Sequence, residues 1–137
     1  MTKIASKGAA VQLSIASVYT TIGQVRDFDG PDAEVETWDA TALDSGVGRE
    51  FKPTGHVNGG TVSGTLWFDP VLATHQAMTD LITTPAVAAW KNIWSDTAAT
   101  VWPYNGVMTS FTPSASVGEG LSAAFSIKLD GMVSYPT

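Results

Sequence analysis

The acidic side chains are the residues of this sequence best placed to do chemistry. Seven of the thirteen carboxylates lie between positions 27 and 44, a stretch that contains no lysine or arginine. They are Asp27, Asp29, Asp32, Glu34, Glu36, Asp39 and Asp44. Such a density fits a calcium site, a pair of catalytic carboxylates or a negatively charged surface. The spacing of the acids and their neighbours decides among these.

A calcium loop of the EF-hand type does not fit the spacing. That loop needs oxygen ligands at its first, third and fifth positions and a glycine at the sixth. In a loop starting at Asp27, the fifth position is Pro31 and the sixth is Asp32, so the register fails. A calcium site of another type is an alternative, and an acidic surface is the favoured interpretation.

A carboxylate pair acting on sugars is a second alternative. Glu34 and Glu36 alternate with Val35 and Thr37, so on a strand they would project from one face beside Trp38. The five tryptophans would then supply a platform for a carbohydrate; they are Trp38, Trp67, Trp90, Trp94 and Trp102. The competing interpretation is that these rings supply core and interface area in a small domain.

Other catalytic and metal-binding patterns are missing. The chain has no cysteine, which excludes disulfides and thiolate chemistry, and it has no G-x-S-x-G nucleophile motif. Its two histidines are far apart: His75 falls on the apolar stripe of a predicted helix and His56 in a glycine-rich stretch. The GVG at 46–48 lacks the rest of a dinucleotide fingerprint. We therefore predict a protein that is not an enzyme and has no catalytic residue, metal or cofactor.

The composition of the chain limits the classes of partner that it is expected to bind. The 137 residues suit one domain, and the net charge of −6 with only seven basic residues disfavours tight binding to phosphate groups. The sequence contains no run of eighteen apolar residues, so it predicts no membrane-spanning helix. The N-terminus does not resemble a signal peptide. We expect synthesis in the cytoplasm and no membrane partner.

Period-two patterns dominate the predicted elements. Residues 1–10 predict a flexible N-terminal arm, and residues 11–137 predict a single β domain. The stretch 40–60 holds five glycines and no clear periodicity, which predicts a long loop of the kind that is often functional. Asp69 as N-cap and Pro70 at the first helical position predict one helix over about 70–83.

The remaining segments predict further strands. The stretch from 100 to 113 predicts a strand interrupted by a turn at its PYNG sequence, and Leu121 to Leu129 alternate toward a core. The predicted class is mainly β (α+β): two packed antiparallel sheets forming a sandwich or partial barrel, flanked by one α-helix. Hydroxyl-rich strand faces, clustered acids and a long loop favour a protein that assembles.

In this order, the segments resemble the tail tube proteins of long-tailed bacteriophages, which share a fold with the tube proteins of type VI secretion systems. The matching stretches are TTIGQV (20–25), ETWDAT (36–41), REFKPTG (49–55), GGTVSGTLWFDP (59–70) and LSAAFSIKLDG (121–131). Together they cover nearly the whole chain after the arm. No single stretch is specific, and their order carries the resemblance.

The resemblance implies a function as well as a fold. Six subunits would form a ring, and rings would stack into a hollow tube through which DNA passes without specific binding. Its partners would be further copies of the chain and the tail terminator, distal tail or baseplate, and tape-measure proteins. The protein would be made in the host bacterial cytoplasm and reside in the phage tail of the virion.

The resemblance also assigns roles to the residues singled out above. The loop at 40–60 would reach a neighbouring subunit or ring through Asp44, Arg49, Glu50, Phe51, Lys52 and His56. Lys3 and Lys7 of the arm would pair with acids on a neighbour. We expect the acids Asp27, Asp29, Asp32, Glu34, Glu36 and Asp39 to form a charged assembly surface, part of it facing the channel. The alternatives are a type VI secretion-like tube protein and a carbohydrate-binding β-sandwich module.

Overall fold

The fold is described by a computed structural model that defines residues 3–5, 7–43 and 46–135. In these ranges the chain forms nine strands and one helix. They are β1 (Ala10–Ile15), β2 (Val18–Thr21), β3 (Val25–Asp29), β4 (Glu34–Asp39), β5 (Phe51–Asn58), β6 (Thr61–Trp67), α1 (Ala73–Thr83), β7 (Val87–Ile93), β8 (Val101–Ser114) and β9 (Ser122–Leu129). None of the helices in this part of the chain is long and apolar enough to cross a lipid bilayer.

The strands form two antiparallel sheets of unequal size. Seven strands pair in the order β2-β1-β7-β8-β9-β6-β3, and β4 pairs only with β5. The predicted class is therefore confirmed: mainly β, two antiparallel sheets and one flanking helix. Within the described residues, no pairing joins β2 to β3, so the large sheet stays open.

The core lies on one face of the seven-stranded sheet. Alternation in the sequence puts these side chains inward, as at Val11 and Leu13 of β1 and Val62 and Leu66 of β6. Strand β9 contributes Ala123, Phe125, Ile127 and Leu129, as its alternation predicted, and Met78 of α1 closes the same cluster. Leu121 is the exception to that prediction, because it precedes β9 and is half exposed.

Two contacts show that the large sheet curves back on itself. Phe28 of β3, at one edge, meets the ring of Trp94, just after β7, with centroids 5.5 Å apart. Asn92 of β7 is fully buried, and its side-chain amide donates at 3.5 Å to the carbonyl of Gly30, directly after β3. The Asn92 side-chain oxygen accepts a 2.9 Å hydrogen bond from the Tyr104 hydroxyl of β8. Burial raises the pKa of that hydroxyl, so it stays protonated and keeps donating.

Helix α1 begins at Ala73, three residues later than predicted. The Asp69 carboxylate accepts from the Val71 backbone N–H at 3.1 Å, and the Leu72 N–H donates to the Asp69 carbonyl. Asp69 therefore caps a turn and not the helix, and Leu72 has extended backbone. The prediction of Asp69 as N-cap and Pro70 as first helical residue was wrong for this reason.

Two predicted interruptions are strands instead. The loop expected over 40–60 is irregular only up to residue 50, because Phe51–Asn58 pairs with β4 as β5. The PYNG sequence lies inside the continuous strand β8, opposite β7. At the N-terminus, residue 10 of the predicted arm already belongs to β1.

Candidate assembly surfaces

The two-stranded sheet of β4 and β5, called the hairpin below, is the most exposed regular structure of the chain. Every residue of both strands is exposed, although four of them are large and apolar. These four are Val35, Trp38, Phe51 and Val57. Phe51 is 60% exposed and Trp38 is 53% exposed. Exposed apolar side chains gathered on one element indicate a surface that another protein covers.

A polar network fixes the end of the hairpin where the irregular segment begins. Arg49 donates to the Asp39 carboxylate at 2.7 Å, and this is the only ion pair among the described residues. The same carboxylate accepts from the Thr41 backbone N–H at 2.9 Å, and the Thr41 hydroxyl accepts from the Glu50 N–H at 2.8 Å. Hydrogen bonds from Thr41, with Arg49 contributing less, hold the pKa of Asp39 below its ordinary value.

The predicted loop residues therefore lie on a structured hairpin. Arg49 and Glu50 belong to the polar network, whereas Phe51, Lys52 and His56 lie on β5 with exposed side chains. Arg49 and Glu50 directly precede β5, so the five residues lie on or beside one strand, and their role in assembly stays a prediction. Asp44 lies outside the described residues.

The predicted acidic surface is divided among three places. Asp27 accepts from both the backbone N–H and the hydroxyl of Thr65, which ties β3 to β6. Asp32 accepts from the Thr61 N–H at 2.7 Å and packs so closely on Gly60 that a side chain there would overlap it. These two carboxylates have structural partners, which sequence spacing could not show.

The remaining acids of this set lie on β3 and β4 and are exposed, as Asp27 and Asp32 are. Asp29 ends β3, Glu34 and Glu36 are exposed on β4, and Asp39 makes the ion pair described above. In the described part of the chain, no group of three or more histidine, cysteine, aspartate or glutamate side chains is placed to hold a metal ion. The calcium alternative therefore gains no geometric support from the acidic stretch.

The five tryptophans do not form one platform. Trp90 is fully buried in the core, and Trp94 and Trp102 pack edge to face with centroids 5.1 Å apart. Trp38 lies on the hairpin, and the Arg26 guanidinium covers the Trp67 ring at 4.3 Å. The carbohydrate-binding alternative needs coplanar accessible rings, and the structure disperses them.

The two histidines differ in role. His75 is fully buried, accepting at Nδ1 from the Asp69 N–H at 3.0 Å and bonding through Nε2 to the Gly23 carbonyl at 2.7 Å. His56 is exposed on β5. The sequence correctly predicted His75 to be a packing residue, but not that it links α1 to the turn before β3.

Two sheet edges also offer unpaired backbone, which sequence reasoning did not single out. Strand β2 ends the large sheet, pairs only with β1 and is exposed at all four residues. Strand β3 ends the other side and pairs only with β6. Edge strands are the usual places where a second chain adds to a sheet. The four uncharged residues Val18–Thr21 were too short a pattern to identify as such an edge.

Comparisons with known proteins give a likeness in structure and none in sequence. No model of a known protein family and no curated protein sequence matches the chain. A chain from the tail of an empty gene transfer agent particle, refined with C6 symmetry, has a TM-score of 0.83 at 20% identity, covering 97% of this chain and 100% of that one. A chain of the SPP1 tail tube has a TM-score of 0.73 at 11% identity, covering 98% of this chain and 80% of that one.

The chain has the tail tube fold. A third similar structure, a chain of the sheath–tube complex of the PVC extracellular contractile injection system, has a TM-score of 0.70 at 15% identity and covers 98% of this chain and 93% of that one. Because these alignments leave only a few residues of this chain uncovered, the tail tube fold extends over the hairpin as well as the core. The resemblance of the ordered sequence segments is confirmed at the level of fold.

Proposed function

We propose that this protein is a structural subunit of a phage tail tube, in which six copies form a ring and rings stack into a hollow tube that conducts DNA. The observation that carries the proposal is the tail tube fold, whose match at TM-score 0.83 is a chain of a sixfold-symmetric tail. Under this proposal the chain has no catalytic residue or cofactor. It resides in the virion tail after synthesis in the host bacterial cytoplasm.

Contacts within a ring are assigned to the sheet edges. A contact between two different surfaces of identical copies closes into a ring when its rotation divides a full turn. The edges β2 and β3 are two such surfaces on one molecule, each paired on one side only. Joining sheets from copy to copy removes these edges from solvent, which lowers the risk of uncontrolled pairing.

Contacts between rings are assigned to the hairpin. Its apolar side chains Val35, Trp38, Phe51 and Val57 stay exposed in the single copy, and Arg49, Glu50 and Lys52 place charges of both signs beside Phe51. Aromatic anchors within a polar rim are typical of protein interfaces. On this proposal Phe51 is the apolar anchor that the next ring covers.

The charge of the chain supports passage of DNA without retention. Six copies at −6 each carry about −36 per ring. Binding to DNA requires lysine and arginine at the phosphates, and the chain has only seven such residues. We propose that exposed acids such as Glu34 and Glu36 contribute to this repulsion wherever they face the channel. The tail terminator, distal tail or baseplate, and tape-measure proteins are the other proposed partners.

A tube of a contractile injection or type VI secretion-like system is the second candidate. It is favoured by one observation, the similarity to a chain of a contractile sheath–tube complex, although that TM-score is lower. Both candidates require rings and stacking. A sheath protein that binds the outer surface of assembled tubes would favour the second.

Negative-stain electron microscopy of the purified protein, dilute and then concentrated, tests the proposal. We expect rings and hollow tubes of uniform width, with sixfold symmetry in end views. Because assembly of such tubes can require a starting complex, the same experiment is repeated with preformed tail tips. Single particles under both conditions would contradict the proposed function.

A further inference from the structure

A groove of about 470 Å³ lies between strand β3 and the segment that follows β7. Val25 and Phe28 of β3 form one apolar wall, and Trp94 forms the opposite one. Asp27 and Asp96 place carboxylates on its lining. This size and composition are typical of sites that bind an apolar side chain with a few polar contacts.

The arm of the same chain occupies this groove incompletely. Ile4 and Ala9 of the arm lie at its lining, yet Ile4 is 63% exposed. A hydrogen bond from the Ser95 hydroxyl to the Ala5 carbonyl is the only arm-to-body hydrogen bond within the described residues.

Charges on the arm and the groove are complementary. Lys3 and Lys7 are exposed, and neither forms an ion pair with a described residue of its own chain. Asp27 and Asp96 are fixed as acceptors by hydrogen bonds from Thr65 and Thr100. The one cation in the groove lining, Arg26, is already stacked on the Trp67 ring.

An unsatisfied donor also marks the groove wall. The indole N–H of Trp94 is buried and has no acceptor among the described residues. Buried donors without partners are uncommon because burial removes the water that would otherwise accept from them. Trp94 also lines the groove, so this donor belongs to a residue of the groove wall.

We propose that, in the assembled ring, the groove between β3 and the Trp94–Asp96 segment receives the N-terminal arm of a neighbouring copy. This inference rests on the proposed function. Exchange of an identical element between copies is an inexpensive route to association, because each contact already exists within one chain. Entering from a neighbour, the arm would bury Ile4, which is 63% exposed in its own chain, between Val25 and Trp94. Each copy would give its arm to one neighbour and receive one from the other.

The natural absence of cysteine allows a clean cross-linking test. A variant carrying both Ile4→Cys and Val25→Cys is treated with a short bis-maleimide, once as dilute monomer and once as tubes verified by microscopy. We expect an intrachain product in the monomer and a ladder of covalently joined copies in the tubes. Variants with Ile4→Cys alone and Val25→Cys alone give the background of each site.

Tubes that contain only the intrachain product would overturn the inference and leave the proposed function intact. Failure of the unsubstituted chain to form rings or tubes would overturn both. If the cysteine variant itself fails to assemble, carbodiimide cross-linking of unsubstituted tubes, mixed from heavy- and normal-isotope copies, gives the answer. A mixed-isotope peptide joining Lys3 or Lys7 to Asp27 or Asp96 supports the exchange, and same-isotope peptides alone contradict it.

A charge variant tests the complementarity. We expect Lys3→Glu combined with Lys7→Glu to remove most of the ladder, since it places four like charges in the groove. Lys128→Glu, a charge reversal at an exposed position of β9, is the comparison and is expected to leave the ladder intact. An undiminished ladder in the arm variant would overturn the role assigned to the two lysines.

Discussion

His75 joins helix α1 to the turn between β2 and β3 through both of its ring nitrogens. The N–H of Asp69 and the carbonyl of Gly23 both use this buried ring as a partner. Leaving two buried backbone groups unpaired costs more than losing an equal area of apolar contact. The histidine therefore has a structural role in the fold, through these two hydrogen bonds.

Replacement of His75 tests this role. We expect His75→Leu to lower the free energy of unfolding by about 2–5 kcal/mol, because both hydrogen bonds disappear inside the core. His56→Leu, the same change at an exposed position, should alter it by less than about 0.5 kcal/mol. Urea denaturation followed by fluorescence measures both. Equal effects in the two variants would contradict the assignment.

Asp39 provides a second prediction for a single residue. Its carboxyl should titrate below 3.8, the ordinary aspartate value, so its stabilising contribution is present above that pH and is lost as pH falls through the lower folded pKa. Because Thr41 contributes most to the shift, Thr41→Val should raise this pKa more than Arg49→Gln does. Carboxyl NMR titration of the three proteins measures the order. A larger rise in the arginine variant would show that the ion pair dominates.

Among the features of the protein, the roles of individual residues were the hardest to predict from the sequence. The density of acids in 27–44 suggested one surface, whereas Asp27 and Asp32 accept from backbone groups more than twenty positions away. Such partners depend on how β3 and β6 align, and no local pattern records that register. His75 was assigned to the core correctly because helical spacing is local information.

At the scale of elements, the hairpin is the surface on which the proposed function most depends. We expect Phe51→Ala to change the free energy of unfolding of the monomer by less than about 0.5 kcal/mol, since its side chain is mostly exposed. The same variant should fail to extend tubes, because it loses the proposed apolar anchor between rings. Thermal melts and electron microscopy of the same sample check the two halves of this prediction.

A matched variant distinguishes the loss of an apolar side chain on the hairpin from the loss of any exposed apolar side chain. Val71 is more exposed than Phe51 and precedes helix α1. We expect Val71→Ala to form normal tubes. Normal tubes from Phe51→Ala, or equal loss of tubes from both variants, would remove the special role of the hairpin.

Strands in which apolar and polar residues alternate strictly could be predicted from the sequence. Strands that depend mainly on pairing with a neighbouring strand could not. Strands β1, β6 and β9 follow period two because one face is buried. Strand β5 contains Pro53 and Gly55, buries no residue and exists through its pairing with β4. In β8, Pro103 lies in the part paired with β7 only, so its missing N–H does not interrupt the ladder to β9.

At the scale of the whole molecule, the balance of charge makes a prediction about cargo. Assembled tubes should not retain short duplex DNA, even at low ionic strength, because the net charge of each copy is −6. Sedimentation of tubes with labelled DNA over a range of salt concentrations measures this. DNA that sediments at low salt and is released as salt rises would contradict passage without binding.

The fold of the whole molecule was predictable because many weak segments had to occur in one order. The arrangement of the large sheet was not, since the contact between Phe28 and Trp94 joins positions far apart in the chain. Sequence periodicity identifies which face of a strand is buried, but not which strands become neighbours. The groove beside Trp94 arises from that long-range closure, and it could be found only in the structure.

Under the proposed function, the exposure of the hairpin has a consequence for the kinetics of tail growth. An isolated two-stranded sheet is only marginally stable in water, and the hairpin buries no side chain, so we expect it to open locally more often than the core does. If only copies with the hairpin closed add to the tip, the observed rate constant is the intrinsic one multiplied by the closed fraction. The network of Asp39, Thr41 and Arg49 would raise this fraction and so speed the lengthening of the tube.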